Sequence, residues 1–143
     1  MIKVLVIVCL LFVSTTLGWS SSSTEYACIS PRVIDGDTIR CHIIRLGFGV
    51  ALEDRNIRLD GVDTPEVLRP NCEAEKVKGL AAKASVAKLL KGCSDVWTTE
   101  NGLDKYGRIL GDIRCNGVSL SAYLMSQGLA KPYSGGKRSS WCE

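Results

Sequence analysis

The sequence predicts an α+β domain that is mainly β, a small barrel of five strands with two or three flanking helices. Three observations support this fold class. Short β-rich segments alternate with Asp-Gly turns, one long segment has helical periodicity, and six cysteines follow the first apolar run. A chain of 143 residues has room for one such domain.

The first residues have the pattern of a secretory signal peptide. Lys3 supplies a positive start, residues 4–13 are apolar, and small residues follow as far as Gly18. The apolar run is too short to cross the ~30 Å hydrocarbon core as a helix. An uncleaved anchor or a buried strand is the alternative. We expect a signal peptide over 1–18, cleaved between 18 and 24, and a single mature domain over 25–143.

The cysteines indicate disulfides. Cys9 lies in the signal segment, and six cysteines in a small exported domain predict three bridges. Fifteen pairings are possible. Symmetry about two predicted hairpins favours one set: Cys28–Cys41, Cys93–Cys115 and Cys72–Cys142. Zinc is disfavoured because the chain has no CxxC motif and only one histidine, His42.

The predicted strands are residues 27–34, 38–44, 56–59, 96–99 and 109–114. The Asp35-Gly36 step between the first two favours a hairpin, because glycine readily supplies the backbone that a tight turn requires. We expect a loop or a ragged strand extension over 46–54. The last two strands are expected to form a second hairpin across residues 102–107.

Two helices are predicted. Asn71 is a candidate cap for the first, which ends at Gly92, and the second covers 119–127 and stops at Gly128. In the first helix, apolar residues recur at spacings of three and four and predict its buried face: Val77, Leu80, Ala81, Ala84 and Ala87.

Carboxylates and arginines are concentrated in three segments at predicted strand ends, residues 33–40, 57–66 and 104–108. Any one of them could be a turn with solvated charges, since Asp and Gly are common turn formers. Their joint occurrence indicates a functional site. Asp60 and Asp104 are assigned to turns, whereas Asp35 fits either a turn or a place beside that site.

Four short motifs carry a family resemblance. They are Ile-Asp-Gly-Asp-Thr at 34–38, Val-Asp-Thr-Pro-Glu at 62–66, Asp-Lys-Tyr-Gly-Arg at 104–108 and Gln-Gly-Leu-Ala-Lys at 127–131. With them the chain resembles the staphylococcal nuclease (thermonuclease) family from about Cys28 to Tyr133. The resemblance implies a five-stranded OB-fold barrel with helices packed on it. It also implies calcium-dependent hydrolysis of phosphodiester bonds in DNA and RNA.

The resemblance implies a role for each matching residue. The calcium (Ca²⁺) ligands are Asp37, Asp63 and the backbone carbonyl of Thr64. The catalytic residues are Glu66, beside the attacking water, and two arginines on the scissile phosphate, Arg58 and Arg108. The residues lining the nucleotide pocket are Lys105, Tyr106 and Tyr133.

These residue types suit that chemistry. Calcium prefers oxygen ligands, and two aspartates with one carbonyl leave positions open for water and phosphate. Guanidinium groups can grip phosphate oxygens and offset their charge. Glu66 can orient or deprotonate water. Arg108 is a poor proton donor near neutral pH, so electrostatic stabilisation of the transition state is its expected role.

The chain also departs from the family pattern. Residues 47–53 form an insertion, and the loop over 67–71 is shorter and lacks a lysine pair. Only ten residues follow Tyr133, too few for a full third helix. The bridges are expected to anchor the tail in its place.

The expected substrate is DNA and/or RNA, in a secreted protein that is extracellular or periplasmic. We expect a monomer with no protein partner and no stable membrane association after signal cleavage. The net charge of +3 adds little, because a binding face needs clustered charge. One alternative is a non-catalytic nucleic-acid-binding module on the same fold. Another is a cysteine-stabilised structural or toxin-like domain.

Overall fold

The structure is a computed structural model and describes residues 24–142. The predicted signal peptide at 1–18 lies outside the described residues. Within them the chain forms nine strands and two helices: β1 (Glu25–Asp35), β2 (Thr38–Gly47), β3 (Val50–Leu59), β4 (Val62–Asp63), α1 (Glu73–Lys91), β5 (Val96–Thr99), β6 (Ile109–Gly111), β7 (Ile113–Cys115), β8 (Val118–Ser119), α2 (Leu120–Ser126) and β9 (Lys131–Pro132). Neither described helix is long and apolar enough to span a membrane.

Seven strands form one sheet, curled into a half-barrel, in the order β6-β3-β2-β1-β5-β7-β8, and β4 pairs with β9 apart from it. The predicted mainly β fold with two helices is confirmed. Five strands were predicted and nine are described, because the segment predicted as one strand over 109–114 divides into β6 and β7 and the two-residue strands β4, β8 and β9 were not predicted. Strand β6 pairs in parallel with β3, while β7 pairs antiparallel with β5. The full OB-fold barrel stays a prediction.

Asp112 causes this division. Its carbonyl accepts a hydrogen bond from the Thr99 N–H at 3.0 Å, and its own N–H donates to the Thr99 hydroxyl at 2.8 Å. A side chain at Gly111 would place its Cβ 2.1 Å from the Thr99 carbonyl oxygen. The chain can therefore pass this close to the Thr99 backbone only because residue 111 is glycine.

The first hairpin is confirmed, with Val33 opposite Ile39. Of the two predictions for residues 46–54, the extension is confirmed and the loop is wrong, because β2 and β3 continue through this segment as a second hairpin with Arg45 opposite Ala51. Its tip is Gly47-Phe48-Gly49, where all three residues have positive φ. Phe48 is fully exposed at that tip. Glycine supplies this left-handed backbone at two of the three positions.

The buried face of α1 differs from the predicted one. Val77 and Leu80 are 59% and 49% exposed. The helix instead buries Glu75, Gly79, Ala82, Val86 and Leu90. Small residues allow this close approach, since a Cβ on Gly79 would lie 2.7 Å from the Pro65 carbonyl oxygen. The helix thus packs directly on the loop that follows β4.

The core lies between the curled sheet and the helices. Its largest fully buried side chains come from four elements and include Ile39, Ile57, Ile113, Leu120 and Leu124. Apolar burial of this kind contributes about 25 cal/mol per Å². The buried core therefore holds the ends of β2 and β3 near Asp37 and Arg58 in a fixed position.

The three predicted disulfides are confirmed. Cys28–Cys41 joins β1 to β2, and Cys93–Cys115 joins the end of α1 to β7. Cys72–Cys142 spans 70 residues and holds the tail against the start of α1. Cys72 is also the N-cap of α1, where Asn71 was predicted, and its sulfur accepts from the Glu75 N–H. The tail beyond β9 has no helix within the described residues, as expected.

Removing the bridge to the tail should destabilise the domain more than its exposed position suggests. For a loop of this length the chain-entropy model gives about 4 kcal/mol. The double variant Cys72→Ser, Cys142→Ser buries no new polar group, and a serine hydroxyl can still cap the helix. We expect urea denaturation to show a loss of about 3–4 kcal/mol in the free energy of unfolding. A loss below about 1 kcal/mol would contradict the role given to this bridge.

Candidate active site

The site is built around a buried arginine at the end of β3. Arg58 is 5% exposed, and its Nη1 donates to the carbonyl oxygens of Leu59 at 2.7 Å and Val62 at 2.9 Å. Its Nη2 lies 3.1 Å from Asp37 Oδ2 and 3.7 Å from Asp63 Oδ1. Two buried carboxylates therefore converge on one guanidinium nitrogen.

The sheet register places these groups together. Thr38 pairs with Arg58 across β2 and β3, so Asp37 lies beside the arginine at the same sheet end. The Leu59 N–H donates to the Asp37 carbonyl at 2.9 Å. After the turn at 60–61, β4 brings Asp63 back to the same point.

Thr64 links the two carboxylate positions. Its N–H donates to Asp37 Oδ2 at 3.1 Å, and the residue is 2% exposed. Asp37 Oδ1 accepts from the Thr38 hydroxyl at 3.2 Å. A side chain at Gly36 would place its Cβ 2.7 Å from the Thr64 hydroxyl. The β1–β2 turn and the loop after β4 are thus in contact at the site.

Asp63 is the most deeply buried acid of the site, at 2% exposed. Burial raises the pKa of its carboxyl and Asp37 raises it further, although Arg138, Trp141 and Arg58 act in the opposite direction. Its Oδ1 accepts no hydrogen bond from any described residue. Its charge is instead offset by two ion pairs, with Arg138 Nε at 3.1 Å and Arg58 Nη2 at 3.7 Å from Oδ1.

The predicted calcium ligands fit a hard cation in their chemistry. Asp37 and Asp63 supply carboxylate oxygens, Thr64 adds a carbonyl, and Asp63 Oδ1, which has ion pairs but no hydrogen bond within the described residues, is a suitable ligand. No group of three or more His, Cys, Asp or Glu side chains in residues 24–142 is arranged as a metal site. The predicted set contains only two such side chains, so it rests on the carbonyl, water and substrate to complete it.

Glu66 lies on the loop after β4, and Arg138 Nη1 donates to its Oε1. The loop is held from below by Glu75, which is 3% exposed. Glu75 accepts from the Asn71 N–H at 2.6 Å, from the Asn71 side chain at 2.9 Å and from the Glu66 N–H at 3.4 Å. A buried carboxylate in α1 therefore fixes both ends of this loop.

Asp35 stands close to the same acids. Its Oδ1 accepts from the Gly36 N–H at 2.8 Å, which confirms a turn role. Burial raises the pKa of Asp35; the charges of Asp37 and Glu66 add to this, against the Gly36 hydrogen bond and Lys83. Asp35 therefore belongs to a turn and also lies beside the site, the two options that the sequence left open.

A cavity of about 840 Å³ opens beside Arg58. It is lined by the strand ends, the 104–108 turn and the tail, and its charged and aromatic lining residues are Arg58, Asp60, Asp104, Lys105, Tyr106, Arg108, Tyr133 and Arg138. Its volume and mixed lining suit a ligand with both charged groups and planar rings.

The turn over 104–108 presents its side chains to this cavity. Asp104 Oδ1 accepts from the N–H groups of Tyr106 and Arg108, both at 2.9 Å. Arg108 Nε donates to Asp104 Oδ2 at 2.6 Å, so Asp104 orients an arginine as well as closing a turn. Tyr106 is 72% exposed, with Lys105 Nζ 5.0 Å and Arg108 Cζ 5.5 Å from its ring centre. Such an exposed ring is available for stacking.

The structure brings the nine predicted site residues to one end of the sheet. Arg58, Asp37, Asp63 and Thr64 are in direct contact, and Glu66 joins them through Arg138. The others line the cavity: Lys105, Tyr106, Arg108 and Tyr133. Their individual roles stay predictions.

Sequence reasoning missed three residues of the site: Glu75, Arg138 and Trp141. Glu75 belongs to no motif, and the only role predicted for the tail is its anchoring by a disulfide. A cue was present, because Lys137-Arg138 lies shortly before Cys142, whose predicted bridge returns the tail to α1.

Fold and site together define a small disulfide-bonded β-domain with an acid–arginine centre beside a cationic cavity. The family model described as "Staphylococcal nuclease homologue" matches residues 56–140, more than half of the chain. The chain therefore belongs to the staphylococcal nuclease homologue family. The matched range contains every predicted site residue except Asp37.

Curated relatives agree with this membership. The thermonuclease of Staphylococcus intermedius is 33% identical over 100 residues, which cover 70% of this chain and 55% of the relative. A staphylococcal-like nuclease of Arabidopsis thaliana is 36% identical over 78 residues, or 54% of this chain and 21% of the relative. An uncharacterised 38.1 kDa protein of Capnoides sempervirens is 33% identical over 110 residues, or 70% and 30%. The chain thus spans less than two thirds of each relative.

Replacing Glu75 tests how the loop is held. Burial raises its pKa, but the hydrogen bonds from Asn71 and Glu66 outweigh burial, so the pKa is lowered. Its ionised form therefore stabilises the fold fully above the usual value of 4.5, and this contribution is lost as the pH falls through the lower native pKa. We expect Glu75→Gln to cost about 2 kcal/mol at pH 7.

The measurement is urea denaturation of wild type and variant at pH 7 and pH 3. The difference in unfolding free energy should narrow at the lower pH, because below the ordinary pKa of 4.5 the unfolded wild-type chain binds a proton at Glu75 more readily than the native state does. Glu73→Gln, an exposed glutamate in the same helical turn, is the control and should cost about 0.5 kcal/mol or less. A Glu75→Gln variant as stable as this control at pH 7 would refute the role of Glu75.

Proposed function

We propose that this chain is a calcium-dependent nuclease that hydrolyses phosphodiester bonds of DNA, RNA or both. The observation that carries the proposal is the convergence of Asp37 and Asp63 on the buried Arg58, at the edge of a cavity lined by Arg108 and Tyr106. Family membership supports the same reading, as do the names of relatives that are nucleases.

Asp37, Asp63 and the Thr64 carbonyl would hold the ion. Bound there, calcium would supply positive charge beside the phosphate and a place for the reacting water. The burial of both aspartates excludes bulk water from their shared side, which strengthens every charge interaction at that point. Glu66, two residues after Thr64, would orient or deprotonate the water.

The two arginines have distinct tasks. Arg58 is held by two carbonyls and two carboxylates, so its guanidinium is fixed before substrate arrives. Arg108 is part-buried, lines the same cavity and is oriented by Asp104. A phosphodiester bound in this cavity would meet charge from both arginines, and charge placed in advance is the main way proteins stabilise such transition states.

The cavity accounts for a nucleotide as well as a phosphate. Tyr106 offers an exposed ring for base stacking, and Lys105, whose ammonium group lies beside that ring, could bind a phosphate oxygen of the nucleotide. The Tyr133 hydroxyl donates to the Gly136 carbonyl at 3.0 Å, which keeps that ring against the tail. Stacking and phosphate contacts of this kind are independent of sequence, so both DNA and RNA are proposed substrates.

We also propose that the protein is exported after removal of the signal peptide and works as a monomer outside the cytoplasm. The three disulfides support export, because such bridges persist in oxidising compartments. No protein partner or stable membrane association is part of the proposal.

An endonuclease assay tests the proposed activity. Oxidised protein is incubated with single-stranded DNA and with RNA, in calcium or in excess chelator. We expect cleavage only in calcium, with Asp63→Asn and Glu66→Gln each at least ~10²-fold slower, the scale of removing one oriented catalytic group. Asp54→Asn, an exposed aspartate on the distal part of β3, should retain wild-type rates.

The same assay separates the rival readings. Binding of DNA without cleavage under any condition would favour a non-catalytic binding module. Cleavage that continues in chelator would refute the calcium requirement. Neither binding nor cleavage would favour a structural domain.

A further inference from the structure

Arg138 is a cation of the site that no motif identified. Its Nε lies 3.1 Å from Asp63 Oδ1, and its Nη1 donates to Glu66 Oε1. Its side chain is 41% exposed and lines the same cavity as Arg58 and Arg108. One guanidinium thus contacts an acid proposed to bind metal and the acid proposed to act on water.

The tail is anchored so that Arg138 stays there. Trp141 is 7% exposed, and its indole N–H lies 3.4 Å from Asp63 Oδ2 as a long hydrogen bond. Lys131 Nζ is 4.3 Å from the centre of the Trp141 ring, and Lys78 donates to the Trp141 carbonyl at 2.9 Å. Cys142, the residue after Trp141, forms the disulfide with Cys72. The backbone at 138 is therefore confined while the side chain remains part-exposed.

The three cavity arginines differ in how firmly they are engaged. Arg58 is buried among four acceptors, and Arg108 makes a close ion pair within its own turn. Arg138 relies on side-chain carboxylates alone and is the most exposed of the three. Its pair with Glu66 is open to solvent, where ion pairs are weak, whereas the Asp63 carboxylate that it also meets is 3% exposed. A guanidinium binds phosphate with the same donor fork that it uses for carboxylate.

We propose that Arg138 is a substrate-binding residue with two alternative partners. Without a divalent cation, Arg138 forms ion pairs with Asp63 and Glu66. When Asp63 binds the metal and Glu66 contacts the water, Arg138 instead binds a phosphate group of the bound strand. This inference rests on the proposed nuclease function. The residue would thereby link occupation of the metal site to the grip on nucleic acid.

The proposal requires effects of opposite sign. Removing the cation beside Asp63 should strengthen calcium binding, because a competing positive charge is gone. Removing a phosphate ligand should weaken substrate binding. A residue that only supported the fold would weaken both when it was lost.

The experiment compares wild type with Arg138→Ala, Arg138→Lys and Lys137→Ala. Calcium chloride affinity is measured by calorimetry without nucleic acid, and KM and kcat are measured on single-stranded DNA at saturating calcium. For Arg138→Ala we expect calcium affinity to rise about tenfold and KM to rise about tenfold, with a smaller change in kcat. Arg138→Lys should keep wild-type calcium affinity and recover part of the KM effect. Lys137→Ala, the neighbouring exposed cation, should change either value by less than about threefold.

Each other outcome has a definite meaning. The proposal is overturned if Arg138→Ala binds calcium more weakly than wild type, or if its calcium affinity or its KM equals that of wild type. In each of these cases the nuclease function still stands, provided that wild type cleaves DNA in a calcium-dependent way. Absence of calcium binding in wild type overturns both this proposal and the proposed metal site. Thermal unfolding of every variant verifies that the comparison is between folded proteins.

Discussion

The structure depends on the burial of one guanidinium with two carboxylates at the end of a β-sheet. Taking such charges out of water is costly unless each finds a partner. Arg58 meets this demand with the carbonyls of Leu59 and Val62 and with two aspartates from different turns. The chain must therefore fold back at residues 59–62 and meet the β1–β2 turn. A fold that satisfies Arg58 also assembles the proposed metal ligands, so stability and function make the same geometric demand.

The tail is the second element that defines the site. A domain of this size buries a limited apolar core, and the Cys72–Cys142 bridge offsets part of that deficit by constraining the unfolded chain. It also sets Trp141 and Arg138 against Asp63, so the last residues form one wall of the cavity. Short, bridged tails can thus do what a further helix would do by packing.

Much of this could be predicted from sequence, and the exceptions have physical causes. Asp-Gly steps and symmetric cysteines are local signals, and they predicted the first hairpin and all three disulfides. The face of α1 was mispredicted because periodicity counts apolar residues, whereas Gly79 and Ala82 are buried for their small size. The loop alternative for residues 46–54 failed because the glycines there form a hairpin tip. Arg138 was missed because Asp63 and Glu66 are distant in sequence, and no local pattern reports such contacts. Glu75 was missed although its partners Asn71 and Glu66 are only four and nine residues away.

Diffraction from crystals of the oxidised protein grown in calcium chloride tests the central claim most directly. The account predicts one calcium ion at about 2.3–2.6 Å from carboxylate oxygens of both Asp37 and Asp63, with the Thr64 carbonyl in the same shell. Arg58 should remain bound to its two carbonyls. A calcium ion bound elsewhere, or these two carboxylates unoccupied at saturating calcium, would contradict the account.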